Sequence, residues 1–141
     1  MNAISTQSSK RRQAMAIVFY SSEQIQNGGP TPATNIYYCG AIPTSKSTSW
    51  DLKDSNGPVT NDEVVACILM DVPEGTVITL YDSPSASTDD DYTTIKVLEN
   101  IYQFTSESIE EGSTSTMPVQ IEYHKKNGLK GKVSYIKVDV P

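Results

Sequence analysis

The sequence has few of the residues on which metal and redox chemistry usually depend. It contains one histidine, His124, and two cysteines, Cys39 and Cys67, which lie 28 positions apart and form no CxxC motif. A zinc site built from cysteine and histidine is not expected, because such sites need four ligands at short, characteristic spacings. The two cysteines are predicted to be buried thiols, with a disulfide as the alternative if the protein is exported.

Long hydrophobic runs are missing as well. No stretch of about 18 apolar residues occurs, which argues against a transmembrane helix. The first apolar run, AMAIVFY, is too short for the hydrophobic region of a signal peptide and has the character of a strand. The sequence therefore predicts no membrane insertion and no classical export signal. The compartment stays open between the cytoplasm and export by another route.

Helical periodicity is also absent, and the composition favours strands. Apolar residues make up 37% of the chain, and no run repeats every 3.6 residues. Eight tyrosines and many threonine, serine and valine residues are typical of strands, while eight glycines and eight prolines divide the chain into short pieces. Strands are predicted at 15–21, 35–42, 63–70, 77–82, 92–101, 119–125 and 132–140.

These short strands predict an all-β fold, an antiparallel Greek-key β-sandwich with little helix. Residues 15–141 are expected to form this single domain, and residues 1–14 a flexible, basic N-terminal arm. The polar stretch 43–62 is predicted to be a loop, in which Trp50 folds the chain back on the core. The final strand, near the end of the chain, is predicted to be an edge open to pairing.

Charge is distributed unevenly along the chain, whose net charge is −6. The arm carries Lys10, Arg11 and Arg12 and no acid, whereas residues 13–124 carry three basic residues against sixteen acidic ones. A body this acidic should repel nucleic acid. It would attract a hard cation such as Ca²⁺, or it would only keep the surface soluble.

A third interpretation of the charge involves self-assembly. The last 17 residues carry five lysines, including Lys130 and Lys132, against one acid. These lysines and the basic arm could contact the acidic body of a second copy, which predicts a homo-oligomer formed through the arm.

Four segments resemble, in this order, the microbial βγ-crystallin-like proteins: AIVFYSS, NDEVVACILMDVPEGTVITLYDSP, STDDDYTTIKV and YHKKNGLKGKVSYIKV. In that family a Greek-key motif ends in an Asn/Asp pair, two variable residues and Ser/Thr-Ser, and the next motif opens with an aromatic strand such as VTLY. The resemblance covers roughly residues 15–140. It implies a divergent member of the family with a non-enzymatic structural or binding role.

The resemblance also implies a Ca²⁺ site, because the family's double-acid motifs bind Ca²⁺ through backbone carbonyls and Ser/Thr hydroxyls. On this sequence the role falls on Asp89, Asp90, Asp91, Thr93 and Thr94.

A weaker match implies a second set of ligands, Asn61 and Asp62. Val65 and Ala66 stand where the hydroxyls belong, so this pair needs a hydroxyl from another motif. The last motif has Lys130 and Gly131 in place of the acids and is not expected to bind.

No catalytic constellation is apparent, and the protein is predicted not to be an enzyme. Glu107, Glu110 and Glu111 lie in a Gly/Ser/Thr-rich stretch that is a poor platform for glycosidase carboxylates. A self-assembling structural subunit and a lectin-like module are the alternatives. A lectin surface would use the aromatic residues Tyr37, Tyr38, Trp50 and Tyr123, although core packing is favoured for most of them.

Overall fold

A computed structural model describes residues 16–21, 38–42, 46–54, 57–106, 108–110 and 118–141 of the chain. The predicted arm, residues 1–14, lies outside the described residues. Strands and turns make up the described parts, so none of them builds a helix able to cross a membrane. The strands are β1 (Ala16–Tyr20), β2 (Tyr38–Ile42), β3 (Thr48–Asp51), β4 (Ala66–Val72), β5 (Val77–Tyr81), β6 (Tyr92–Val97), β7 (Ile101–Ser106), β8 (Val119–His124) and β9 (Tyr135–Asp139).

The strands form two antiparallel sheets that pack as a sandwich. The first sheet has the order β2-β1-β4-β7, and the second has the order β3-β9-β5-β6-β8. Every strand pair is antiparallel. The all-β class and the antiparallel sandwich predicted from the sequence are therefore confirmed.

The Greek-key connectivity stays a prediction. Four strands of the second sheet are arranged as β9-β5-β6-β8, so the last of them along the chain lies beside the first, as in a Greek key. However, β6 and β8 are not consecutive strands. The chain passes through β7 in the first sheet between them.

Two strands lie where the sequence predicted otherwise. The prediction of a loop over 43–62 was wrong at β3, which pairs with β9 and places Trp50 opposite Ile136. Trp50 packs against the core, as predicted. The prediction of a single strand over 92–101 was also wrong: these residues form β6 in the second sheet and the start of β7 in the first. The chain crosses between the sheets at Leu98–Asn100, and the sequence does not show this turn because it contains no glycine or proline.

The expectation of an edge at the final strand was also wrong. β9 lies inside the second sheet, between β3 and β5. Its backbone groups are therefore paired on both sides. Among the described strands, the edges of the two sheets are β2, β7, β3 and β8.

The core is formed by side chains from the facing sides of both sheets. Alternate residues point inward, as Ile78 and Leu80 of β5 do, and both are fully buried. β4 occupies the centre of the first sheet, as its apolar sequence predicted. Tyr20, Ala66 and Ile68 form a second buried cluster apart from the main core. The continuous apolar sequence of β4 therefore reflects burial on both faces of the sheet.

Cys39 and Cys67 are both buried, and they do not form a disulfide. They lie on β2 and β4, which are separated by β1, so their Cα atoms are about 9.6 Å apart by strand spacing, too far for a disulfide. Burial raises the pKa of each thiol to about 12, and the charge of Glu63 adds to the effect at Cys39.

Both thiols are consequently expected to be protonated and unreactive in the native protein, because the thiolate is the reactive species. Ellman's reagent at pH 8 should modify neither cysteine in the folded state and both in guanidinium chloride. Rapid modification of either residue without denaturant would contradict this expectation.

Candidate functional site

Three connections meet at one end of the sandwich: 57–65 before β4, 82–91 between β5 and β6, and 125–134 before β9. Backbone hydrogen bonds join them, from Asp62 N to Val133 O (3.0 Å) and from Ser134 N to Tyr81 O (2.8 Å). Segments distant in sequence are thereby held beside one another.

A row of aromatic rings lies at the strand ends that border two of these connections, 82–91 and 125–134. Tyr135, Tyr81, Tyr92 and His124 are neighbours across four adjacent strands of the second sheet. Ring centroids are 5.9 Å apart for Tyr81 and Tyr135, 6.0 Å for Tyr81 and Tyr92, and 4.1 Å for Tyr92 and His124. Such cross-strand pairs stabilise a sheet. Each tyrosine of the row adjoins a residue of the site, since Asp82, Asp91 and Ser134 are their sequence neighbours.

The three connections enclose an open cleft of about 600 Å³. Its polar lining consists of four carboxylates, three hydroxyls and two ammonium groups, from Asp62, Asp82, Asp89, Asp90, Ser83, Ser87, Ser134, Lys53 and Lys132. Asp82, Asp90 and Asp91 each place a carboxylate oxygen within 4.8 Å of the other two.

The electrostatics of Asp82 reflect this crowding. Burial raises the pKa of Asp82, and the negative charge of Asp90 raises it further. Lys132 opposes the shift, while Asp91 and Asp62 add smaller contributions in the same direction as Asp90. The carboxylates of the cleft therefore repel one another, and Lys132 compensates only part of that repulsion.

Asp91 differs from its neighbours because its carboxylate is fully engaged inside the protein. It is completely buried, and its Oδ2 accepts hydrogen bonds from the Tyr123 hydroxyl and from Gly128 N (2.9 Å). Its Oδ1 accepts from Asn127 N (2.8 Å). Burial alone would raise the pKa of Asp91, but the hydrogen bonds from Tyr123 and the backbone amides outweigh it and hold the pKa well below the usual range.

A second carboxylate, that of Glu110, also binds the connection 125–134. Glu110 Oε2 accepts hydrogen bonds from Leu129 N (2.7 Å) and Lys130 N (2.8 Å). Together Asp91 and Glu110 fix the chain that leads to Lys132 and Ser134. Glu107 and Glu111, which were considered with Glu110 from the sequence and rejected as glycosidase carboxylates, lie outside the described residues.

The ligand set implied for residues 89–94 does not converge on one point. Asp89 and Asp90 line the cleft. The buried Thr93 hydroxyl donates to Ile109 O (2.7 Å). Thr94 pairs with Thr79 and Glu122 across the second sheet. Backbone alternation separates the two threonines, because successive residues of a strand point to opposite faces.

Asn61 and Asp62, the more weakly matched pair of candidate ligands, lie beside a hydroxyl group that comes from another motif. Ser134 Oγ donates to Asp62 Oδ1 at 3.3 Å, so a residue 72 positions away lends the missing group. Asp62 adopts a positive φ of 64°, and Asn61 Oδ1 is buried without a hydrogen-bond partner among the described residues. A hydroxyl from another motif was expected from the sequence, but no pattern around Ser134 identified that residue as the donor.

The residues implicated in assembly fall into two groups. Lys10, Arg11 and Arg12 lie outside the described residues. Lys130 and Lys132 are exposed, and Lys132 lines the acidic cleft of its own chain. Asp82 and Lys53, which also line the cleft, were missed from the sequence because neither belongs to the double-acid motif on which the predicted cation site was based.

No family model matches the chain, and no curated protein or solved structure matches it.

Proposed function

We propose that the chain is a non-enzymatic, βγ-crystallin-like structural or binding module whose acidic cleft takes a divalent cation such as Ca²⁺. The observation that carries the proposal is the convergence of Asp62, from the connection before β4, with Asp82 and Asp90, from the connection between β5 and β6, onto one open cleft. Ca²⁺ prefers six to eight oxygen ligands of this kind, from carboxylates, hydroxyls, carbonyls and water.

The cleft also has an electrostatic reason to take a cation. Burial is the main cause of the raised pKa of Asp82, and the negative charges of Asp90, Asp91 and Asp62 raise it further, so these carboxylates repel one another in the ion-free protein. A divalent cation would relieve that repulsion more fully than Lys132 does. Ser134 Oγ, already 3.3 Å from Asp62 Oδ1, is placed to add a neutral oxygen.

The stabilising role follows from how the cleft is built. A cation bound by both Asp62 and Asp82 would link the connection before β4 to the connection after β5. It would thereby hold together the ends of two strands that belong to different sheets. Because an ion that binds only the folded state shifts the unfolding equilibrium, bound Ca²⁺ would stabilise the sandwich.

This predicts a calcium-dependent melting temperature. At a Ca²⁺ concentration 100 times the dissociation constant, the free energy of unfolding should rise by about 2.7 kcal/mol, which corresponds to roughly 5–10 °C for a domain of this size. Thermal melts in Ca²⁺ and in chelator measure the shift, and calorimetric titration measures the affinity.

Asp90→Asn should abolish the shift, because it removes a charge from the cleft and keeps the side-chain shape. Glu99→Gln is the matched control, since Glu99 is exposed on the turn between β6 and β7 and does not line the cleft. Identical melting temperatures in Ca²⁺ and chelator, with no heat of binding, would rule the proposal out.

Self-assembly through the arm stays a prediction. With β9 paired on both sides, it depends on Lys10, Arg11 and Arg12 contacting an acidic surface of another copy. Size-exclusion chromatography of the full chain against a chain beginning at Met15, at low salt, tests it. Equal monomeric elution of both would exclude assembly through the arm.

A further inference from the structure

A second pocket lies at the edge of the first sheet, where β4 ends and β7 begins. It has a volume of about 440 Å³ and is lined by Asp71, Val72, Pro73, Asn100, Ile101 and Tyr102. It shares no lining residue with the acidic cleft. The volume is in the range of small-ligand sites in proteins.

Tyr102 gives the pocket an exposed aromatic ring. Its side chain is 78% exposed, the largest value among the large hydrophobic residues that the structure describes. It lies on β7, which among the described strands pairs with β4 alone. An aromatic ring this exposed is the kind of surface on which a ligand with an apolar face can stack.

Asp71 contributes two further signs of a binding role. Its φ is 51°, a left-handed conformation that is uncommon outside glycine and frequent at functional sites. Asp71 lies opposite Tyr102, because the register of β4 on β7 is the same at Met70 and Gln103 as at Val72 and Ile101. Asp71 Oδ2 is shielded from solvent and accepts no hydrogen bond from the described residues. A carboxylate oxygen in this state has an unmet capacity to accept a hydrogen bond.

The side chain of Asn100 is oriented by the backbone of Glu74, the residue that follows Pro73 of the pocket lining. Its Oδ1 accepts a hydrogen bond from Glu74 N at 2.9 Å. With the carbonyl oxygen engaged, the Nδ2 group supplies the donors. The pocket thus combines an aromatic ring, a hydrogen-bond acceptor and a hydrogen-bond donor at one place.

We propose that this pocket binds a neutral saccharide. A sugar ring offers an apolar C–H face that fits Tyr102, and its hydroxyls both donate and accept, which matches Asp71 and Asn100. No lysine or arginine lines the pocket, and Glu74 lies beside it, so acidic or sulfated sugars are disfavoured.

A protein partner fits the pocket less well. The large exposed apolar side chains on this part of the chain are Leu98 and Tyr102 alone among the described residues. A stable protein interface buries about 1,000 Å² or more, which so small an apolar surface does not support.

The test is a titration of the full-length ¹⁵N-labelled protein with neutral hexasaccharides of β-1,4-glucose, β-1,4-N-acetylglucosamine and α-mannose, followed by NMR. Chelator is present throughout, so that the result is independent of the proposed cation site. At least one sugar should give saturable shifts centred on Asp71, Asn100 and Tyr102. A sulfated oligosaccharide should give none.

Variants separate the site from a general surface effect. Tyr102→Ala should weaken binding at least tenfold. Asp71→Asn should also weaken it while leaving the fold intact, because asparagine tolerates a positive φ. Tyr38→Ala is the matched control, since Tyr38 is the other tyrosine among the described residues with a largely exposed side chain, at 53%, and lies on the opposite edge strand of the same sheet.

Three results would overturn the proposal. These are the absence of saturable shifts with all three sugars, an equal loss of binding in Tyr38→Ala, and shifts centred on the acidic cleft. A change from oligomer to monomer in Tyr102→Ala, without sugar binding, would instead identify the edge as a contact between copies.

Discussion

Replacing Asp91 by alanine is expected to lower the free energy of unfolding by about 3 kcal/mol, because three hydrogen-bond donors lose their acceptor at a cost of about 1 kcal/mol or more each. The substitution leaves the Tyr123 hydroxyl and the amides of Asn127 and Gly128 without their acceptor. Buried donors that lose their partner keep their desolvation cost. Urea denaturation monitored by circular dichroism measures the effect.

The control is Asp89→Ala, two positions earlier in the same connection. Asp89 is exposed, and the hydrogen bond that involves it uses its backbone amide, which donates to Ser87 Oγ (3.1 Å). In chelator this variant should stay within about 0.5 kcal/mol of the wild type, as surface substitutions usually do. Equal stability of the Asp89→Ala and Asp91→Ala proteins would show that Asp91 has no special structural role.

The contribution of Asp91 should also depend on pH. Its pKa in the folded protein lies below that of an unfolded aspartate, about 3.9, so the unfolded state binds its proton more readily. The stabilisation is therefore complete above about pH 5 and is lost as the pH falls below about 4.

The isosteric variant Asp91→Asn isolates the charge. The difference in unfolding free energy between wild type and Asp91→Asn should be largest near neutral pH and should shrink on acidification to pH 3. A difference that stays constant over this range would mean that the carboxylate charge does not contribute.

Gly40→Ala is expected to cost about 3 kcal/mol or more, because it combines backbone strain with a steric clash. Gly40 has a φ of +138°, a conformation that side-chain-bearing residues rarely adopt. An added Cβ would strike the Pro58 carbonyl and would lie 2.8 Å from Val59 Cα. The 57–60 segment cannot easily retreat, since it is bridged to β2 and Thr60 N donates to Cys39 O (2.9 Å).

Gly128→Ala separates the two contributions. Gly128 has a φ of +114°, but a Cβ there would meet nothing closer than Glu110 Oε2 at 4.0 Å. Its cost should be limited to the conformational strain, about 1–2 kcal/mol. Thermal or urea unfolding of both variants provides the comparison. If Gly40→Ala is no more destabilising than Gly128→Ala, the 57–60 segment does not pack as closely against Gly40 as the structure shows.

The sequence predicted the fold wherever a strand shows alternation between clear turns. β8 is an example, with Val119 and Ile121 buried and Gln120 exposed. It failed at β3, whose four residues gain their strand conformation from pairing with β9 rather than from their own pattern. The sequence-based prediction also failed at Leu98–Asn100, where the chain passes from one sheet to the other. These residues include no glycine or proline, so nothing in the local sequence marks the turn.

The site was only partly predictable for a related reason. The sequence singled out the triplet Asp89–Asp91 as a candidate cation site, which stays a prediction, and it does not show which of the three carboxylates faces the amides at 127–128. Asp82 and Ser134 reach the cleft through tertiary contacts between connections. No local pattern encodes such contacts, so they become visible only once the strand order is known.

The central position of β9 has a consequence for biogenesis. On a nascent chain, β1, β2, β4 and β7 can all emerge and pair while residues 135–139 are still unsynthesised. The second sheet cannot be completed at that stage, because β9 is the strand that joins β3 to β5. A stalled or prematurely terminated polypeptide would therefore display the edge of β5 that β9 covers in the complete protein, the type of surface that chaperones shield and that nucleates aggregation.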